Sequence, residues 1–188
     1  MKIYPIYVYG NPVLREIAKP IDKDYEGLQE LIDDMFHTMY KSEGVGLAAP
    51  QIGKSIRIFV VDATAAADEE NPELAEFKKV FINPEIIELS GDEWTMSEGC
   101  LSIPKINEDV SRPDIVQIRY VDEKFEEHEE IYKGYAGRII QHEYDHLEGK
   151  MFVDHLSALR KKLINKKMLK IASGETVAAY RTILPKNR

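Results

Sequence analysis

Cysteine is nearly missing from this sequence: Cys100 is the single one among 188 residues. One thiol excludes an internal disulfide framework, so Cys100 is packing, a nucleophile or a metal ligand. Long apolar runs are missing as well. Stretches such as residues 58–61, bounded by Arg57 and Asp62, fall far short of the roughly 20 residues that a membrane-crossing helix needs. No apolar segment of secretory-signal length follows Met1-Lys2-Ile3-Tyr4-Pro5. The expectation is a cytoplasmic protein without a membrane partner. A basic excess is also absent. The 25 Lys and Arg face 33 Asp and Glu for a net charge of −8, with no basic stripe or motif that would recruit nucleic acid. Internal repeats, low-complexity segments and linker-like breaks are lacking too, so residues 1–188 read as one catalytic-domain-sized unit with its own core.

Hydropathy periodicity then sketches an α+β architecture. Leu28, Leu31, Ile32, Met35, Phe36 and Met39 form the stripe of a helix laid on a core, which should stop near Gly44. Residues 56–62, 79–83, 86–89, 114–121 and 127–132 are short, β-branched or aromatic, and bounded by Gly, Pro or Asp, as strands of a mixed or antiparallel sheet are. Residues 63–76, acidic and alanine-rich, read as a surface excursion with a helical turn. Helical patterning resumes from Gly134 to about Leu147. It returns after Asp154, an N-cap candidate, to about Ile171 as a lysine-rich C-terminal helix. The tail after Ser173 is expected to be disordered. The predicted picture is short strands packed around a central helix, with that C-terminal helix beside them.

The central helix carries the chemistry. His142-Glu143-Tyr144-Asp145-His146 is an H-E-x-x-H sequence. Two histidines four positions apart project from one helical face and can grip one cation, while Glu143 lies beside that face, within reach of a bound water. Two histidines on a helix can also serve packing or solvation, so a third ligand decides the matter. The extended protease pattern fits through Gly149, but its last histidine would stand where Phe152 does. Glu175 is the downstream carboxylate clear of the helix, in a loop-like Ser173-Gly174-Glu175-Thr176, and His155 reads as a helix-start histidine. Cys100 is the remaining candidate. Gly99 lets backbone approach a ligand there, and the N–H of Leu101 beside the thiolate is a donor for a developing oxyanion.

A third segment, Gly44-Val45-Gly46-Leu47-Ala48-Ala49-Pro50-Gln51-Ile52-Gly53, lacks the residues of a phosphate loop. Its paired glycines suit a backbone passing close to something bulky, or simply a tight turn into a strand. The side-chain amide of Gln51 can donate to a carbonyl oxygen without titrating.

Taken together, the segments Gly44 to Gln51, Glu98-Gly99-Cys100-Leu101-Ser102 and Gln141-His142-Glu143-Tyr144-Asp145-His146 resemble, in order and spacing, the three signature motifs of the peptide deformylase family. Asn11-Pro12-Val13-Leu14-Arg15 is similar to that family's opening segment, and the C-terminal helix resembles the bacterial type, so the likeness runs to about residue 165. The resemblance implies removal of the N-formyl group from nascent polypeptides that begin with formyl-methionine, releasing formate. It implies ferrous iron held by Cys100, His142 and His146, with zinc, nickel or cobalt as substitutes. It implies Glu143 as acid/base, and Gln51 with the Leu101 N–H as oxyanion donors.

Val45, Gly46 and Gly99 would then offer backbone groups to an extended substrate. Tyr135, Arg138 and Ile139, at seven, four and three positions before His142, would share the methionine pocket. Arg138 needs a charge partner, for which Glu98 is the candidate. The expected partner is the nascent chain, met near the ribosomal exit tunnel. Two rival readings are a zinc endopeptidase of the H-E-x-x-H type and a non-catalytic metal-binding module. The residue at 152 and the presence of Glu143 with Gln51 argue against them.

Overall fold

Apolar side chains alternate along residues 58–62 and 78–82 so that both faces of one sheet are buried. The computed structural model, which describes residues 1–186, shows that sheet. In β3 (Ile58–Asp62), Phe59 and Val61 enter one core while Ile58 and Val60 enter another. In β4 (Lys78–Cys100), Phe81 joins the first core, and Val80 and Ile82 the second. The sheet runs antiparallel in the order β2 (Gly46–Ala48), β3, β4, β5 (Ile103–Val121), β6 (Glu127–Lys133).

Each face is closed by a helix whose stripe matches it. On one side α1 (Leu28–Lys41) buries Leu31, Ile32, Met35 and Met39 against Leu47, Ile58 and Val60. It ends where the Gly44 N–H folds back onto the Met39 carbonyl at 2.9 Å. On the other side α2 (Gly134–Leu147) packs Ala136, Ile139, Ile140 and Leu147 against Phe59, Phe81 and Val116. A third core joins Ile103, Ile106 and Val110 of β5 to Leu14, Phe152, and Ile164 and Met168 of α3 (Ala158–Ala172). The α+β arrangement expected from the periodicity is present, with the H-E-x-x-H sequence on the inward helix.

Two strands are much longer than expected. Residues 79–83 and 86–89 belong to one strand of 23 residues, and residues 114–121 end one of 19. Pro84, Gly91 and Pro113 resemble strand ends, but the ladder absorbs them in register shifts between Ile82 and Glu85 and between Ser90 and Glu93. At the first shift Asn83 takes a left-handed φ of 49°. Its side chain compensates by accepting the Ile21 N–H at 2.9 Å and donating to the Ile21 carbonyl at 2.7 Å.

The helix caps also differ. Ser157, not Asp154, caps α3, accepting from the Arg160 N–H at 3.3 Å. Asp154 instead accepts the Met151 N–H at 2.8 Å at the head of a separate 3-10 turn, Phe152–His155. The tail expected to be disordered is placed as far as residue 186, and the rest of that segment lies outside the described residues. Its β7 (Thr182–Ile183) pairs in parallel with β1 (Ile6–Tyr7). A two-residue strand whose partner lies at the opposite end of the chain leaves no periodicity to read. The acidic excursion forms two 3-10 turns, Thr64–Ala66 and Pro72–Glu76, and anchors itself by burying Leu74. Among the described residues no helix is long and apolar enough to cross a membrane.

Candidate metal centre and active site

The hairpin joining β4 to β5 and the middle of α2 meet at one point. Cys100 sits at the last position of β4, opposite Ile103. The one-turn spacing on α2 brings His142 and His146 to the same side, so that one donor atom from each of the three residues lies within 4.8 Å of the others. The Cys100 Sγ is 3.3 Å from Nε2 of His146. The other residues weighed as ligands lie elsewhere. His155 turns its Nε2 to Asp145 Oδ2 at 2.7 Å, and Glu175 is exposed near Lys170, while Phe152, at the position of the missing histidine, stacks on the His142 ring at 6.1 Å.

His142 is oriented by Glu98, whose Oε2 lies 2.9 Å from Nδ1. Because a carboxylate can only accept, Nδ1 carries a proton, leaving Nε2 to face the cluster. Glu98 is itself buried and saturated: Arg112 donates through Nε at 2.7 Å and Nη2 at 3.0 Å, and Arg138 through Nη1 at 3.0 Å. Burial pushes its carboxyl up, yet the hydrogen bonds from His142 and Arg112 outweigh it and hold Glu98 far below the usual carboxylate range. Arg112 continues to Asp145 Oδ2 at 2.7 Å, and Asp145 to His155. The Arg138 partner expected from the sequence is therefore present. Its guanidinium also donates to the carbonyls of Val110 and Trp94 and lies over the Trp94 ring.

Burial likewise raises the Cys100 thiol, but the imidazoles of His146 and His142 prevail and bring it down to about 5, the thiolate form that binds a metal. Glu143 is 4% exposed, and burial lifts its carboxyl to about 7. Its Oε2 has no hydrogen-bond partner among the described residues. One thiolate, two imidazoles and an orphaned carboxylate oxygen beside them fit a single borderline-soft divalent ion with an open position.

The paired glycines make room for two side chains. A Cβ on Gly46 would stand 2.8 Å from Cγ and Cδ of Glu143, and one on Gly44 would stand 2.9 Å from Cδ1 of Leu101. Gln51 follows in a 3-10 turn, Ala49–Ile52, where its Oε1 accepts the Ala48 N–H at 2.8 Å. That contact fixes the amide's orientation, so the Nε2 donors face Cys100 Sγ at 3.4 Å and Ser102 Oγ at 3.3 Å.

A cavity of about 460 Å³ opens in front of these groups, lined among others by Val45, Gly46, Gly99, Leu101, Tyr135 and Ile139, and also by Arg138. The residues expected to hold metal, act on the amide or line the substrate pocket thus converge on one site. The Val45 carbonyl accepts the Asp62 N–H at 2.9 Å, which leaves its N–H as the group it can offer. The antiparallel register therefore turns the polar groups of Gly46 to the open edge of β2. Arg112, Asp145, Ser102 and Tyr180 were not anticipated. Ser102 and Asp145 stood inside the quoted motifs without a role, and Arg112 left a trace on the inward parity shared by Val110, Val116 and Ile118.

A buried carboxylate next to a thiolate and two imidazoles, with an amide donor on the same cavity, defines a metal-dependent hydrolase. The sequence profile of the family described as polypeptide deformylase matches residues 3–162. A peptide deformylase of Christiangramia forsetii is 52% identical over 97% of this chain and 96% of its own. The crystal structure of the Thermotoga maritima peptide deformylase superposes with a TM-score of 0.75 at 41% identity, covering 84% of this chain and 99% of that one. That of Legionella pneumophila gives 0.78 at 38% identity, over 93% and 98%. The chain belongs to the polypeptide deformylase family, metal-dependent enzymes that remove N-formyl groups from nascent polypeptides.

Two outcomes follow from this geometry. Arg112→Ala removes two donors from the buried Glu98 and the arginine partner of Asp145. It should cost about 3–5 kcal/mol of stability in urea titration and weaken metal retention in competition with a chelator by about 10- to 100-fold. Gly46→Ala should displace Glu143 while leaving Cys100, His142 and His146 in place. Metal content by elemental analysis should stay at the wild-type level while turnover falls by about 10²-fold.

Proposed function

We propose that this chain hydrolyses the N-formyl amide of formyl-methionyl polypeptides with Cys100, His142 and His146 holding one ferrous ion. Glu143 serves as the acid/base, and Gln51 and the Leu101 N–H act as oxyanion donors. The observation that carries this reading is the placement of the buried, unpartnered Glu143 carboxylate on the same cavity wall as the thiolate and the fixed Gln51 amide.

The substrate lies extended along the open edge of β2, with Gly46 on one side and Gly99 of β4 on the other, in the manner of an added strand. The methionine side chain enters between Tyr135, Ile139 and the aliphatic part of Arg138, a setting suited to an unbranched thioether. A bound divalent ion supplies Lewis acidity, polarising the formyl carbonyl and bringing the pKa of water toward about 7. Glu143, raised toward neutrality by burial, takes the proton of the attacking water and delivers it to the departing amine. As the carbonyl oxygen gains charge, Gln51 Nε2 and the Leu101 N–H donate to it. Donors of this kind are worth about 10² to 10³ in rate each. Glu98 keeps the His142 tautomer throughout and takes no proton.

The donor set alone suits zinc at least as well as iron, and zinc binds more tightly. Iron is assigned because it expands beyond four ligands more readily, with nickel or cobalt as working substitutes. The reaction is placed in the cytoplasm. The nascent chain is met near the ribosomal exit tunnel.

The deciding experiment follows formate release from formyl-Met-Ala-Ser under anaerobic conditions, with acetyl and unblocked peptides as controls. Cleavage of unblocked internal peptide bonds would restore the endopeptidase reading, and metal retention without either activity would leave a binding module. Glu143→Gln should bind metal normally yet lose most of its turnover, and near wild-type kcat in the fully metallated variant would remove Glu143 from the mechanism. Apo-protein reconstituted with iron, nickel or cobalt should exceed the zinc form in kcat/KM, and the iron form should decay in air. Equal or greater activity with zinc refutes the iron assignment alone.

A further inference from the structure

Both ends of the chain converge on the turn that carries Cys100. From the residues that flank the paired β1 and β7, two hydrogen bonds reach the hairpin. The Tyr9 N–H donates to the Ser102 carbonyl at 2.8 Å, and the Tyr180 hydroxyl donates to the Leu101 carbonyl at 2.8 Å. Tyr180 lies beyond the residues 3–162 matched by the family profile, in a tail with its own anchors. Asn11 Nδ2 donates to the Ile183 carbonyl at 2.8 Å, and the N–H groups of Ile6 and Val8 pair with Arg181 and Ile183. The Tyr180 ring packs against the core under α1, and Ala178, Ala179 and Tyr180 line the cavity that also holds Cys100, His142 and Glu143. Burial raises the phenol's pKa and the nearby Cys100 thiolate adds to the effect, so the hydroxyl keeps its proton and acts as donor.

We propose that Tyr180 is a positioning residue for deformylation: its hydroxyl immobilises the Leu101 carbonyl and thereby holds the Leu101 N–H on the developing oxyanion. The inference rests on the reading of Leu101 as an oxyanion donor. The physical reasoning is rotational. Cys100 is held in the β4–β5 ladder and Ser102 by Tyr9, so Leu101 is the one residue of the turn whose peptide groups depend on a side chain for their orientation. Freed from Tyr180, the plane of the Leu101 carbonyl can turn about the Leu101 Cα, and because the torsions on either side of that atom adjust together, the preceding amide loses its fixed orientation toward the cavity. The donor lost is aimed at charge that exists mainly in the transition state, so the penalty falls on kcat rather than on substrate affinity.

The test compares wild-type and Tyr180→Phe as anaerobic, iron-loaded, full-length protein, since phenylalanine keeps the ring's packing and removes only the hydroxyl. On formyl-Met-Ala-Ser we expect kcat to fall about three- to tenfold, as one lost neutral hydrogen bond implies, with KM within twofold and Tm unchanged. In hydrogen exchange read by mass spectrometry, the peptide spanning residues 99–104 should exchange several-fold faster in the variant, while peptides from α2 keep their protection. Unchanged kcat or unchanged exchange in that segment overturns the proposal. So does a rise in KM at constant kcat, which would make the tail a substrate-contacting wall only. A lowered Tm with loss of protection across β1 and β7 overturns it as well, reducing Tyr180 to a packing residue. If the wild-type protein releases no formate, the deformylase reading fails. The exchange comparison then still decides separately whether Tyr180 pins the turn.

Discussion

One carboxylate, that of Glu98, ties the structure together. It stands on β4 two positions before the cysteine, accepts two hydrogen bonds from Arg112 on β5 and one from Arg138 on α2, and receives the Nδ1–H of His142. A buried negative charge is costly unless it is surrounded by donors. Here the donors come from two different elements, β5 and α2, so satisfying the charge also docks the helix on the sheet and sets the rotation of the His142 ring. Asp145, one position before His146, balances Arg112 from the other side. Ligand geometry, strand pairing and helix packing are therefore aspects of one electrostatic balance.

Around that cluster the site is shaped as much by missing side chains as by present ones. Gly44 and Gly46 leave space for Leu101 and Glu143, and a methyl group at either position would overlap them. The same bare stretch ends in the 3-10 turn that fixes the Gln51 amide through its own backbone. A single ten-residue segment thus clears one volume and fills the next, which explains why glycines and a glutamine stand so close together.

Much of the chemistry was legible in the sequence because it obeys local rules. Two histidines at helical spacing, a lone cysteine flanked by glycine and a glycine pair before Gln51 each carry a mechanical meaning within a few residues. The amphipathic stripe of α1 and the alternation of β3 were legible for the same reason. What stayed hidden depends on partners far away in the chain. The continuity of β4 and β5 was masked by Pro84, Gly91 and Pro113, which bulges absorb, and by charged residues such as Glu108 and Arg112 at inward positions where apolar ones are expected. Ser157 won the cap of α3 over Asp154 because a separate turn had already engaged Asp154. The tail's role depends on two-residue strands, too short for any period to register.

That pairing of the chain's two ends has a consequence for biosynthesis. The Asn11 side chain reaches the Ile183 carbonyl across 172 positions of sequence, among the most non-local contacts that a chain of this length can make. Such contacts close late, because the entropy of the intervening loop is lost before they form. The hairpin bearing the cysteine can assemble as soon as β4 and β5 have emerged, but the ribbon that braces it from behind cannot exist until β7 has been made. A chain that has not yet reached β7 therefore carries Cys100, His142 and His146 without the brace behind the hairpin.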